Sequence, residues 1–221
     1  MFSIEKYMQH MISLLKSKFG SRLIYVGLQG SYFREEANHS SDIDVMVVMG
    51  TLSLSDLAAY RAIIKSLEYP DRSCGFICSK DDLLNWNHLE LCNLVNSTKD
   101  YYGVLRELIP EYTEDDLRSF VKLSINNLYH EICHRYVHGK TEKNIDAIPY
   151  MYKGVFFILQ NLHCLTHGTF VVKKAELAAL LEGKSREVLA RSIGFTNGIT
   201  YDYEESFELL LTWCQETLRV L

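Results

Sequence analysis

The chain has 221 residues, of which 48% are hydrophobic, and a formal net charge of −5. That is enough apolar material for a sizeable core in one large domain or two small ones. A pI near 5.9 argues against a nucleic-acid partner, whose binding face is usually basic.

In chain order, Ile4, Tyr7, Met8, Met11, Leu14, Leu15 and Phe19 recur at helical spacing, and Gly20 ends the pattern. Residues 22–28 and 43–49 are apolar and β-branched and read as strands. Ser55 to Leu67 reads as a helix with Ser55 as N-cap, ended by Pro70-Asp71. Residues 74–79 form a third strand, and a helical turn starts at Lys80. From Thr113-Glu114-Asp115-Asp116 onward the chain is helical, over 114–138, 146–167, 173–182, 185–193 and 201–220. Gly139, Gly168, Gly183 and Gly194 punctuate those helices. The expected fold class is α+β: a small mixed-sheet domain over residues 1–105, then an all-α helical bundle over 106–221.

No run of 18 apolar residues occurs, so no membrane span is expected. The N-terminal Met1-Phe2-Ser3-Ile4-Glu5-Lys6 has no signal-peptide layout. The six cysteines form no Cys-x-x-Cys pair. Reduced thiols in a cytoplasm are the expectation. Cys74 and Cys78, at i and i+4 on one strand, read as core.

Gly30-Ser31 is followed eleven residues later by Asp42-Ile43-Asp44, which opens the second strand. Side chains at i and i+2 of a strand point the same way, so the two carboxylates project together. They repel unless a cation lies between them. Hard ions such as Mg²⁺ are held by one or two carboxylates plus substrate phosphates. Gly30 permits a tight turn where backbone approaches a phosphate, and the Ser31 hydroxyl can donate a hydrogen bond to that phosphate. A turn rich in Ser and Asp that merely caps a strand is the plainer alternative.

These pieces resemble the polymerase-β-type nucleotidyltransferase superfamily, whose signature is a strand, a Gly-Ser turn, a spacer and Asp-x-Asp opening the next strand. Leu159-Gln160-Asn161-Leu162 and Thr166-His167-Gly168-Thr169-Phe170-Val171-Val172-Lys173-Lys174 resemble the helical domain of aminoglycoside and related antibiotic adenylyltransferases. There a helix ends at Gly and a nearby Lys faces nucleotide phosphates. The resemblance implies that Lys174, with Lys173 as the other choice, serves that role here. Two surface lysines opening an amphipathic helix would look the same.

The resemblance also implies a third carboxylate on the next strand, and Cys74-Gly75-Phe76-Ile77-Cys78-Ser79 contains none. Glu90 is the nearest replacement, and related adenylyltransferases carry an acid near that place. A solvated helix charge is the competing reading. His130, His134 and His138 line one helical face beside Glu131. Three such residues spread over about 12 Å of helix, too far for one ion to meet all of them. A packed face is the simplest reading, and contact of Glu131 or His134 with an acceptor the sharper one. Tyr150, Tyr152, Phe156 and Phe157 read as helix packing.

The function implied is Mg²⁺-dependent transfer of a nucleoside monophosphate, AMP from ATP, to a hydroxyl of a small acceptor such as an antibiotic, with release of pyrophosphate. Asp42 and Asp44 would hold metal and Glu90 would act as base. Gly30, Ser31, Ser41, Lys173 and Lys174 would bind the nucleotide. The alternatives are a regulatory nucleotide-binding module of toxin–antitoxin type, favoured by the missing acid, and AMP transfer to a protein.

Overall fold

The computed structural model describes residues 2–221. The chain forms two compact units, one running to Glu111 and one from Tyr112 to Leu221.

The first unit contains α1 (Ile4–Phe19), β1 (Leu23–Leu28), α2 (Gly30–Phe33), β2 (Ile43–Met49), α3 (Leu54–Ser66), β3 (Ser73–Ser79), α4 (Lys80–Leu84), α5 (His88–Asn96) and β4 (Lys99–Tyr102). The sheet order is β3-β2-β1-β4. β1 runs antiparallel to both β2 and β4, and β2 runs parallel to β3. A parallel pair needs a crossover, and α3 supplies it.

β2 is apolar on both faces because both are covered. Ile43, Val45, Val47 and Met49 pack with Met8, Met11 and Leu15 of α1. Met46 and Val48 pack on the opposite face with Tyr25, Cys78, Leu83 of α4 and, partly buried, Leu94 and Val95 of α5. Asp42 and Asp44 share the alternation of Met46 and Val48, so they belong to this second face.

The second unit contains α6 (Glu114–His138), α7 (Thr141–Lys153), α8 (Val155–His167), α9 (Lys174–Leu180), α10 (Gly183–Thr196) and α11 (Tyr203–Val220). Thr113 and Asp116 form a capping box at the start of α6, Thr113 Oγ1 accepting from Asp116 N at 3.1 Å and Asp116 Oδ2 from Thr113 N at 2.8 Å. The core joins Val121, Ile125 and Ile132 of α6 to Tyr152, Phe156, Leu189 and Trp213.

Several boundaries differ from the expected ones. α3 is capped by Ser53 rather than Ser55, because Asp56 completes a capping box with Ser53 and also pairs with Arg22 at 2.9 Å. β4 was not expected: Lys99-Asp100-Tyr101-Tyr102 lacks alternation, and its strand character comes from pairing with β1. The helix expected over 146–167 starts at Thr141 and divides at Gly154 into α7 and α8. Gly183 begins α10 instead of ending α9, and Gly194 lies inside α10, where a Cβ would come within 1.8 Å of the Tyr201 hydroxyl oxygen. Cys78 is buried as expected, but Cys74 is exposed, near the open end of edge strand β3. Tyr152 and Phe156 are core, whereas Tyr150 is 77% exposed.

Candidate functional site

Asp42 precedes β2 and is exposed, and Asp44 is the second residue of the strand and is half-buried. β1 ends at Leu28, and Gln29 N donates to Asp44 O at 2.8 Å. That bond brings the following turn against the Asp44 side chain. Gly30 there has φ 67°, and a Cβ on it would lie 1.9 Å from Asp44 Oδ2. The left-handed backbone favours glycine, and any Cβ there would have to push the Asp44 carboxylate aside. The Gly-Ser turn and the Asp-x-Asp strand are therefore in direct contact. Ser31 follows in the single turn of α2.

Ser41 belongs to the loop leading into Asp42. Its hydroxyl accepts from Asn38 N at 2.9 Å, and its carbonyl accepts from Arg72 Nε at 3.0 Å and Nη2 at 2.8 Å. Arg72 also donates to the Tyr32 hydroxyl and lies over the rings of Phe2, Tyr32 and Tyr69, 5.4–5.9 Å from their centres. Sequence reasoning missed this arginine. It stands two residues after Pro70, in a turn that reads as a simple helix breaker.

Cys74 pairs with Asp44 in the parallel register of β2 and β3. Partial burial, together with the Asp44 and Asp42 carboxylates facing it, pushes the Cys74 thiol above the ordinary cysteine range. The position beside Asp44 on β3 thus holds a protonated thiol.

Glu90 lies in the first turn of α5 and is exposed. Its Oε2 accepts from Trp86 Nε1 at 2.7 Å. Trp86 packs edge-on against Phe76, with ring centres 5.0 Å apart. Phe76 pairs with Met46, two positions along β3 from Cys74. Glu90 is thereby tied to the sheet face that carries Asp42 and Asp44.

In the second unit, α8 ends at Gly168 with φ 68°, and the chain returns along α8 before α9 begins. Gln160 Nε2 donates to Val171 O at 2.7 Å and to Val172 O at 3.3 Å, while His163 Nδ1 bonds Thr169 O at 3.0 Å. These contacts hold the connection that delivers Lys173 and Lys174. Lys173 is the N-cap of α9 and Lys174 opens it; both are half-buried, and Lys174 Nζ lies 5.6 Å from the Phe156 ring centre. The sequence shows Gln160 within the stretch that resembles the helical domain of antibiotic adenylyltransferases, but not its carbonyl partners Val171 and Val172.

His130, His134 and His138 do share a face, but it is exposed rather than packed. Glu131 of that helix is held by Arg135 at 2.7 Å. Among the described residues, no group of three or more His, Cys, Asp and Glu side chains is arranged to hold a metal ion. No helix among them is long and apolar enough to cross a membrane.

No protein-family model matches the chain, and no curated protein does. Among solved structures the chain is similar to spectinomycin adenyltransferase AAD(9) from Enterococcus faecialis, a crystal structure with ATP and spectinomycin. The identity is 15%, the match covers 98% of this chain and 100% of that one, and the TM-score is 0.62. The chain has the α+β fold of that adenyltransferase.

Proposed function

We propose that the chain is a nucleotidyltransferase that moves AMP from ATP to a hydroxyl of a small-molecule acceptor of the antibiotic class. One observation carries the reading: the Gly30 turn sits on the Asp44 carboxylate, so a phosphate-approaching backbone and an acidic pair are built as one feature. The fold likeness to an adenyltransferase crystallised with ATP and spectinomycin supports the choice of donor and acceptor.

The residues fit Mg²⁺. Asp42 and Asp44 offer hard oxygen ligands on one strand face, and a two-carboxylate site leaves the remaining positions to phosphate oxygens and water. Such an ion, when bound, supplies charge neutralisation at the phosphates. Gly30, Ser31 and Ser41 would cradle the phosphates. Lys173 or Lys174 would offset charge at the β,γ end. The acceptor hydroxyl oxygen forms a bond to the α-phosphorus as the bond from that phosphorus to the bridging oxygen breaks, and pyrophosphate leaves with the bond electrons. The hydroxyl proton passes to the Glu90 carboxylate, which must come within about 2.6–3.2 Å of it directly or through one water.

A second reading, a regulatory nucleotide-binding module, is favoured by the thiol at Cys74 where an acid is expected. Calorimetry with a nonhydrolysable ATP analogue tests the binding half of both readings. Mg²⁺-dependent binding that Asp42→Ala and Asp44→Ala each abolish is the expected result. Unchanged affinity in both variants removes the site. Binding without transfer to any acceptor selects the module.

A further inference from the structure

We propose that His134 and His138 form a two-histidine chelate for a divalent transition-metal ion, of the Cu²⁺ or Ni²⁺ class, on the outer face of α6. The proposal does not depend on nucleotidyl transfer and uses neither Asp42 nor Asp44.

The helix sets the spacing. Residues at i and i+4 lie one above the other on a helix, and imidazole suits copper and nickel as well as zinc. The ring centres of His134 and His138 are 5.2 Å apart, and those of His130 and His134 are 6.0 Å apart. With a metal–nitrogen bond of about 2.0–2.1 Å, two imidazoles on one ion at tetrahedral to right angles have ring centres about 4.5–5.2 Å apart. The His134–His138 pair meets that limit. The His130–His134 pair needs a wider angle, which leaves His130 outside the chelate. Three-histidine coordination of one ion is therefore not required, and water completes the shell.

Both rings are exposed and line an open groove of about 420 Å³. Their helix turn is already fixed. Gly139 N donates to Arg135 O at 2.8 Å, and Asn144 Nδ2 donates to the same carbonyl at 2.8 Å. A pre-set turn lowers the cost of ordering two ligands.

The neighbouring charges act in both directions. Arg135, Lys140 and Lys143 also line the groove and oppose a cation. Arg135 is paired with Glu131, whose carboxylate offsets it. The lysine ammonium groups sit on flexible four-carbon stems that can turn away from a bound ion. The site also lies at the C-terminal end of a 25-residue helix, where positive charge is favoured.

The test is titration of the full chain with Ni²⁺ and Cu²⁺, read by calorimetry and by electron paramagnetic resonance of the copper form. The expected result is one tight equivalent, with nitrogen splitting from two imidazoles. His134→Gln and His138→Gln should each weaken Ni²⁺ by about tenfold or more, because a chelate raises the local concentration of its second arm. His130→Gln should not. All three positions are exposed, so the fold is retained and circular dichroism checks it. Wild-type affinity in His134→Gln, or a copper signal without imidazole splitting, overturns the proposal. So does a groove that binds inorganic triphosphate through Lys143 and leaves Ni²⁺ free.

Discussion

Cys74 stands beside Asp44 across the parallel pairing of β3 with β2, its thiol facing the carboxylate. Partial desolvation at this exposed edge position and the two acids raise the thiol above the ordinary cysteine range, so at neutral pH the position contributes a weak donor and no negative charge.

This pairing sets a reactivity. Asp44 raises the Cys74 pKa, so Asp44→Asn lowers it, increases the thiolate fraction at pH 8 and speeds alkylation severalfold, since the thiolate is the nucleophile. Mass-spectrometric rates at Cys74 check this. An unchanged rate in Asp44→Asn means that the two side chains do not sense each other.

Gly30→Ala probes the contact between turn and strand. The new methyl must displace the Asp44 carboxylate and bear a left-handed backbone costing roughly 1–2 kcal/mol. The expected outcome is a modest loss of stability and a large loss of Mg²⁺–nucleotide affinity. Thermal unfolding and calorimetry on the same variant separate the two. Intact nucleotide affinity would show that the geometry of this turn does not matter to binding.

Part of the geometry of the candidate site was readable from the chain. Asp42, Asp44 and Gly30 announce themselves because strand alternation and glycine geometry are local properties. The strand Ile43–Met49 and the helices Ile4–Phe19 and Glu114–His138 fall where periodicity places them for the same reason. What stayed hidden depends on tertiary partners. Arg72 acts on a carbonyl 31 residues away, and β4 exists only because β1 accepts it. Cys74 departed from its expected burial because it lies near the end of an edge strand.

Gln160→Leu probes the strap that delivers the two lysines. It leaves the Val171 carbonyl without its donor, at about 1–3 kcal/mol for a buried acceptor. Hydrogen exchange over residues 169–174 should speed up. Triphosphate binding should weaken more than monophosphate binding, as it should in Lys173→Ala or Lys174→Ala, whichever lysine faces the β,γ end. Equal losses for both nucleotides would remove the strap and its lysines from the phosphate site.

Glu90→Gln should keep nucleotide affinity and lower turnover about 10²–10⁴-fold, the usual loss for a general base. The acidic limb of the pH–rate profile should also flatten, because glutamine cannot titrate. Trp86→Phe should give a smaller loss, since it removes only the indole donor that holds the carboxylate. Full activity in Glu90→Gln would assign the proton to another acceptor.

The most direct measurement is pyrophosphate release by the purified chain with ATP, Mg²⁺ and a panel of spectinomycin and aminoglycosides, beside the Asp44→Asn variant. Release is expected to require all three components, to yield a product heavier than the acceptor by one adenylyl group, and to drop to background in folded Asp44→Asn. Release that persists in Asp44→Asn, or a wild-type chain that neither binds ATP nor releases pyrophosphate with any acceptor, would contradict the proposed transfer.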